Sequence, residues 1–493
     1  MIQYQAVIQI TIIILVSIIN IHSFADELQA RPSDEIAKIL KKIEMPDSQL
    51  AYALYDAENK KFLETLNSKK EFTPASLQKI FTAFYALSIL GDEFSYSTKL
   101  RFKGPIENGV LKGNLYLIGS GDPSFISGTL INFILAIKEK GIKKVEGKLI
   151  LVNDNFISEK RLSNFGLDDQ TYNPGLSFLN LDFNRFQLKK ENSGHTAKAT
   201  FYTIPPVSSI GIVKDYKPFT PGMKFRFDGN DTNSESWSVS TYNDYGNLEE
   251  IPLRYPHIYA AETFIFMAKA NGIELNNYEI GKDDSTRTLY QYKSPDLKTI
   301  AGLAMEYSNN LYSEAILVKA AMKENSKISS IAQAALQMKE WYLKKYGQEK
   351  FVQSTFANGS GLSIVNQTTV ETLSEFIGNV RETRFDGLYF LSLFSLSGHN
   401  GWIRKRLNTS TASYRVWGKT GSLDYVNNIA GFINTKSGKT LYYAIFTNDF
   451  EKRKALEGEN NQYLNTLRSG ARSWNNKTDQ VLDTLLEEWI AKY

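Results

Sequence analysis

The sequence predicts a multi-domain α+β protein in which a helix-sheet-helix domain, assembled from the two ends of the chain, is interrupted by a large, mostly β insertion. Three observations carry this. A chain of 493 residues with 42% hydrophobic content can fill several cores. Long apolar helices sit near both ends, whereas the middle third is broken into short alternating segments by Gly, Asn, Asp and Pro. Three closely spaced strand patterns near the C-terminal end, matched by two near residue 50, supply a sheet that only distant segments can complete.

Ala6 to Ile19 is almost wholly apolar and Ser23-Phe24-Ala25 offers small residues before Asp26, so residues 1–25 read as a cleaved export signal, although no Lys or Arg precedes the apolar run. No cysteine follows, which excludes a lipoprotein anchor, and no second stretch of spanning length occurs. An exported, periplasmic or otherwise extracytoplasmic chain with no membrane span after cleavage is expected. Helical spacing covers Glu35 to Ile43; strands are expected at Ala51 to Asp56 and Phe62 to Thr65 around Glu58-Asn59-Lys60. A buried helix begins after Pro74 and stops at Gly91, a residue suited to the position just past a helix end. Residues 26–95 therefore form the first part of the helix-sheet-helix domain, 96–290 the insertion and 291–493 the second part. Within the insertion, helices are expected at Leu130 to Lys140 and Ala260 to Ala270, and the polar stretch Asp228 to Glu250 reads as an exposed loop or weakly held hairpin. Beyond it the pattern gives helices at Leu297 to Ala321, Ile328 to Tyr346 and Thr368 to Val380, then strands at Tyr414 to Trp417, Ile429 to Asn434 and Leu441 to Thr447. The apolar face Leu482, Leu485, Leu486 and Trp489 belongs to a last helix, expected to pack on the sheet because Asp483, Glu487 and Glu488 would be repelled by anionic lipid.

Composition narrows the chemistry. A formal net charge of +4 is a mild excess over a large surface, so no nucleic-acid partner is expected. The absence of cysteine excludes disulfides, thiolate sites and a cysteine nucleophile; four histidines argue against a histidine-rich metal site, and no cofactor is expected.

Ser76-Leu77-Gln78-Lys79 opens the buried helix, placing a hydroxyl near the positive end of the helix dipole and Lys79 one turn later on the same face. A lysine among apolar neighbours favours its neutral amine and so becomes a base near neutral pH. Alone the motif is weak, since such common residues give roughly two or three chance matches in a chain of this length. Ser308 and Asn310, at spacing two on the helix that runs to Ala321, are weaker still. Lys419-Thr420-Gly421-Ser422 follows a strand, where a lysine, a hydroxyl and a glycine permitting close approach make a carboxylate or oxyanion site. A nucleotide-binding loop at Gly418-Lys419-Thr420 or Gly438-Lys439-Thr440 fails, because its upstream glycine would fall at Ser413 or Ile433.

Taken in order, Ser-x-x-Lys, Ser-x-Asn and Lys-Thr-Gly form the serine acyl-transfer set of penicillin-binding proteins and β-lactamases. With the further segments Gly113 to Pro123, Ser308 to Glu314, Asn358 to Ser363 and Gly398 to Arg406, and the long separation between Ser76 and Ser308, the chain resembles the class C low-molecular-mass penicillin-binding proteins. That family comprises D-alanyl-D-alanine carboxypeptidases and endopeptidases. The resemblance implies a β-lactamase/transpeptidase-like domain, peptidoglycan stem peptides as substrates and β-lactams as inhibitors. It makes Ser76 the acylated nucleophile, Lys79 its base and Ser308 a proton relay. Asn310 would hold the substrate amide, Lys419 and Thr420 the terminal carboxylate, and Gly421 and Ser422 the rest of the substrate strand, with the N–H groups of Ser76 and Ser422 as oxyanion hole. Asp168, in Asp168-Asp169-Gln170-Thr171-Tyr172, would meet a substrate amino group. Two departures are mild: Asn358 replaces the usual aspartate, and Ser422 the commoner threonine.

Three other readings compete. A β-lactamase needs a water-activating group, and the one Glu-x-x-x-Asn match between Asn310 and Lys419, Glu375 to Asn379, lies on an amphipathic helix. A non-catalytic peptidoglycan-binding or scaffold protein would have lost a motif residue, and none is lost. A Ser-His-Asp hydrolase lacks its Gly-x-Ser-x-Gly. The sequence leaves the oligomeric state open.

Overall fold

The computed structural model describes residues 31–164, 169–191, 199–219, 223–229, 234–243, 245–457 and 461–493. The export-signal reading for residues 1–25, and Asp168, lie outside the described residues. The fold has the expected class: a six-stranded antiparallel sheet sandwiched by helices, plus several smaller sheets formed by the middle of the chain. In the six-stranded sheet the order is Ser395–Leu396, Val416–Leu423, Val426–Asn434, Thr440–Asn448, Leu50–Asp56 and Lys61–Leu66.

Alternation along these strands separates two cores. Tyr52, Leu54, Ile429, Ile433, Tyr443 and Ile445 face the helix Asp34–Lys42 and the C-terminal helix, which contributes Leu482, Leu485, Leu486 and Trp489. On the opposite face Ala51, Ala53, Ala430 and Ala444 are small enough for helices Gln78–Leu90 and Val370–Asn379 to lie close to the sheet. The expected docking of the last helix holds, with Trp489 meeting Tyr52 edge-on at 5.8 Å. Its start lies well before the Val481 to Trp489 stretch expected from that face: the helix runs from Asn461 to Lys492, and among the described residues its earlier part packs only the short stripe Leu467, Ala471 and Trp474 against Tyr425 and Leu456.

The middle of the chain builds a mixed five-stranded sheet, Tyr278–Gly281, Leu149–Asn153, Leu115–Gly119, Ser97–Phe102 and Arg287–Lys293, whose last pair joins the two ends of this stretch. Three three-stranded sheets lie within the same stretch. One of these corrects the sequence reading of Asp228 to Glu250 as an exposed loop. Glu235–Ser240 is the central strand of its sheet, and Trp237 is fully buried. The cause is a polar network that composition conceals: the Glu235 carboxylate accepts from Trp237 Nε1 at 2.8 Å and from the N–H groups of Arg254 and Tyr255 at 2.8 and 2.7 Å, at the start of helix Pro256–Ala270. Among the described residues no helix is long and apolar enough to cross a membrane.

Candidate active site

Three segments converge at the junction of helices and sheet. Pro74 leads into a single 3-10 turn, Ala75–Leu77, that carries Ser76 and runs directly into helix Gln78–Leu90. Ala75 sits in the left-handed region at φ 49°, a conformation that costs an alanine about 1–2 kcal/mol. Surrounding contacts hold it there. Asn428 Nδ2 donates to the Thr73 carbonyl at 2.9 Å, and the Thr73 N–H donates to Asn448 Oδ1 at 2.9 Å, so two buried asparagines fasten the turn to the sheet. Glycines then allow the backbones to touch: a Cβ at Gly421 would lie 2.5 Å from the Pro74 carbonyl oxygen, and one at Gly361, itself at φ 79°, 1.8 Å from that of Ala75. Gly421 thus acts through close approach rather than by offering a group of its own.

The Lys-Thr-Gly segment corrects the expected strand. Strand Val416–Leu423 does not stop at Trp417 but includes Lys419, Thr420, Gly421 and Ser422. Its outer edge is covered by the short strand Ser395–Leu396 only at Trp417 and Gly418, so the edge from Lys419 onward has no strand beside it. The glycines and polar residues there had disguised a strand.

Ser308 also moves. The expected continuous helix over Leu297 to Ala321 is two helices, Leu297–Glu306 and Asn310–Glu324. Between them Ser308 takes φ 56°, and Asn309 caps the second helix by accepting from the Tyr312 N–H at 3.1 Å. Buried apolar residues up to Met305 and again from Leu311 lie close enough together in the sequence for the two helices to read as one. The break turns Ser308 out of helical register toward the cleft.

Lys79 is 1% exposed and lies 3.1 Å from Ser76 Oγ, 2.8 Å from Asn310 Oδ1 and 2.6 Å from the Ser360 carbonyl oxygen. Burial, with the nearby Lys419 charge, pushes its ammonium well below the usual lysine range, and Glu314 opposes this only in part. A neutral amine has two hydrogens and one lone pair. The two carbonyl acceptors take the hydrogens, which aims the lone pair at the Ser76 hydroxyl. That is the geometry of a general base and its nucleophile. Lys419, 3% exposed, donates to Ser308 Oγ at 2.9 Å and to the Thr420 carbonyl at 2.7 Å, and burial pushes it down to about 7. Asn310 completes the link by donating one Nδ2 hydrogen to the Tyr172 carbonyl at 2.9 Å.

Sequence reasoning missed the residue behind Lys79. Glu314, fully buried, accepts from the Gly359 and Ser360 N–H groups at 2.8 Å each and so fixes the carbonyl that takes one Lys79 hydrogen. Its only signal was a carboxylate inside an otherwise apolar helical run, Ala315-Ile316-Leu317-Val318. Glu314→Ala orphans both donors at about 1–3 kcal/mol each. Urea unfolding is therefore expected to show a loss of about 2–6 kcal/mol, and acylation to slow in the folded fraction. Asn358, the departure noted above, keeps a turn-building role: its Oδ1 accepts from Gly361 N–H at 3.1 Å and Asn366 Nδ2 at 2.7 Å.

Asp169 is buried and accepts from Arg254 at 2.6 Å and from the Phe227 N–H at 2.9 Å, which makes it part of the structural core. Glu375 pairs with Lys350 and does not line the cleft, leaving no water-activating role for it. No cluster of potential metal ligands occurs among the described residues. The cleft itself, 650 Å³, is lined by Ser76, Ser308, Asn310, Thr420 and Ser422, with Trp402 and Tyr307 at its rim, and a smaller pocket of 380 Å³ extends past Ser422 to Asp424 and Arg453.

Comparison with known proteins agrees with the fold described above. The family model for D-Ala-D-Ala carboxypeptidase 3 (S13) matches residues 33–466. The D-alanyl-D-alanine carboxypeptidase DacB of Haemophilus influenzae is 27% identical over 416 residues, 82% of this chain and 86% of its own. The crystal structure of penicillin binding protein 4 (dacB) from Haemophilus influenzae superposes with a TM-score of 0.71 at 24% identity, covering 90% of this chain and 98% of that one. The same protein complexed with a novel β-lactam gives 0.71 at 22% identity, over 92% and 99%.

Proposed function

The chain belongs to the D-Ala-D-Ala carboxypeptidase 3 (S13) family and is a serine D-Ala-D-Ala carboxypeptidase; from that premise we propose how its residues divide the work on a peptidoglycan stem peptide. The terminal D-Ala-D-Ala segment lies along the free edge of strand Val416–Leu423, its carboxylate at Lys419 and Thr420 and its amide against Asn310. The neutral Lys79 amine takes the Ser76 proton as Oγ attacks the penultimate carbonyl, and the N–H groups of Ser76 and Ser422 receive the oxyanion. Ser308, held by Lys419, passes its proton to the departing amine as the C–N bond breaks and is replenished by the proton Lys79 had taken, which leaves Lys79 neutral again. Water then attacks the ester and gives a proton to Lys79, and Lys79 returns it to Ser76 Oγ as the ester C–O bond breaks. The observation that carries this reading is the set of acceptors around Lys79, which leaves its lone pair one direction to point.

β-Lactams enter the same way, with the lactam C–N bond in place of the peptide bond and no small leaving group to depart. Cross-bridge cleavage is a second activity of the same centre, supported by a cleft that stays open beyond Thr420. Export to the periplasm, with residues 1–25 removed, suits a wall substrate. Residues 26–95 and 291–493 form one transpeptidase-like domain and 96–290 the insertion, a division supported by the pairing of Ser97–Phe102 with Arg287–Lys293.

The test is intact-mass spectrometry after incubation with benzylpenicillin, with peptide mapping, alongside D-alanine release from a pentapeptide. An adduct on Ser76 and released D-alanine are expected; hydrolysed drug with no adduct would return the β-lactamase reading.

The Lys419 environment adds a pH signature. With its proton leaving near 7 in the free enzyme, Lys419 is charged below that pH and binds carboxylate, and loses that attraction above it. For a carboxylate-ended peptide kcat/KM should therefore fall as pH rises through about 7, and for an amide-capped analogue this limb should be absent. A descending limb of equal size on both substrates would overturn the assignment.

A further inference from the structure

Four aromatic side chains that are exposed to solvent line this one cleft: Tyr172 and Phe183 at 42% each, Tyr307 at 62% and Trp402 at 67%. Single exposed apolar residues need no explanation, but four around one polar cleft beside a nucleophile do. Two of them, Tyr307 and Trp402, sit at the Lys419 end of the edge: Tyr307 directly precedes Ser308, whose hydroxyl accepts from Lys419 at 2.9 Å, and a Cβ on Gly401, just before Trp402, would lie 3.6 Å from the carbonyl oxygen of Glu306, just before Tyr307.

The sheet edge ends there. Strand Ser395–Leu396 occupies the edge of Val416–Leu423 at Trp417 and Gly418, so a peptide bound along the free edge cannot continue past Thr420 in the plane of the sheet. A departing group longer than one residue has to turn outward across Tyr307 and Trp402. The turn bearing Trp402 is fixed. The N–H groups of His399 and Asn400 donate to the Leu396 carbonyl at 3.0 and 3.2 Å, and Leu396 N–H donates to Asn400 Oδ1 at 2.8 Å. Gly401, at φ 62°, leaves no room for a side chain, because a Cβ would fall 2.0 Å from Ser395 Oγ. A rigid turn presents its indole with little ordering cost when a ligand arrives.

We propose that Tyr307 and Trp402 form a leaving-strand subsite that holds the second stem peptide of a cross-bridge, and so favour cross-bridge cleavage over release of a single D-alanine. The inference rests on the carboxypeptidase/endopeptidase reading above and deepens it. A lone D-alanine is too short to reach beyond Thr420 and Ser308, whereas a departing diamino acid with its own peptide covers both rings. Aromatic faces suit its aliphatic side chain and, by cation–π attraction, its ammonium groups.

The experiment compares wild type, Trp402→Ala, Tyr307→Ala and Trp402→Phe on three substrates: a pentapeptide, a sugar-free cross-linked dimer of stem peptides, and the same dimer carrying its disaccharides. Benzylpenicillin acylation of each variant reports whether Ser76 and its partners are intact. Trp402→Ala is expected to lower kcat/KM on the sugar-free dimer about tenfold, chiefly through KM, with a far smaller change on the pentapeptide. Tyr307→Ala should act in the same direction, and Trp402→Phe should recover most of the loss. Equal losses on pentapeptide and dimer, or none on either, overturn the subsite. A loss confined to the sugar-bearing dimer gives the rings to glycan and also overturns it. A wild type that releases D-alanine but leaves both dimers intact removes the endopeptidase reading together with the subsite, an outcome the wild-type data alone identify.

Discussion

Ser76→Ala is expected to abolish the benzylpenicillin adduct and D-alanine release, a loss on the order of a million-fold in kcat, the scale seen when the nucleophile of a serine hydrolase is removed. The geometry makes the experiment clean. Ser76 lies in the 3-10 turn as a small side chain whose hydroxyl meets Lys79, while the turn itself is held by Asn428, Asn448 and the close contacts of Gly361 and Gly421. Removing one oxygen leaves all of these in place, and Lys79 keeps Asn310 and the Ser360 carbonyl. The thermal midpoint should therefore stay near wild type while activity disappears. Acylation at the wild-type rate would sink the nucleophile assignment outright, and an adduct mapped to Ser308 would move it to the neighbouring hydroxyl.

Lys79→Ala is expected to slow acylation by about 10²–10⁴-fold, the range attributed to a positioned general base. Its signature is a pH profile rather than a rate alone. The wild-type acylation rate should decline toward acid as the buried amine gains a proton, and the low residual rate of the variant should lack that limb. The loss of the ammonium-sized side chain also strands Asn310 Oδ1 and the Ser360 carbonyl as acceptors, so circular dichroism must accompany the kinetics. A residual rate that keeps the wild-type acid limb would assign the base elsewhere.

Much of this site was legible in the sequence, and what escaped notice did so for physical reasons. The order Ser76-x-x-Lys79, Ser308-x-Asn310, Lys419-Thr420-Gly421 could be read because each motif is local, and the fold brings Ser76, Lys79, Asn310, Ser308 and Lys419 together. Glu314, Asn428 and Asn448 act across hundreds of residues of chain, and no local pattern marks a buried polar group whose partner is so distant. The joint at Ser308 stayed invisible because helical periodicity reports which side is buried and is blind to a three-residue interruption. Strand Val416–Leu423 was cut short at Trp417 because the half beyond it is polar and glycine-containing, a composition that reads as a loop. Trp237 and Glu235 show the reverse error, where a polar composition was taken for exposure although one carboxylate satisfies three buried donors.

The position of strand Leu50–Asp56, hydrogen-bonded to Thr440–Asn448, has a consequence for how the enzyme comes into being. A chain leaving the ribosome from its N-terminus presents Ser76 long before the strands that must surround it exist, and all the smaller sheets of the middle of the chain emerge in between. Until Val416–Leu423 and the two strands after it have been made, Asn428 and Asn448 cannot hold the nucleophile turn, and Lys79 has no Lys419 charge beside it. The cleft is thus incomplete until roughly the last hundred residues have been made, and the order of synthesis ties the assembly of its parts to a finished fold.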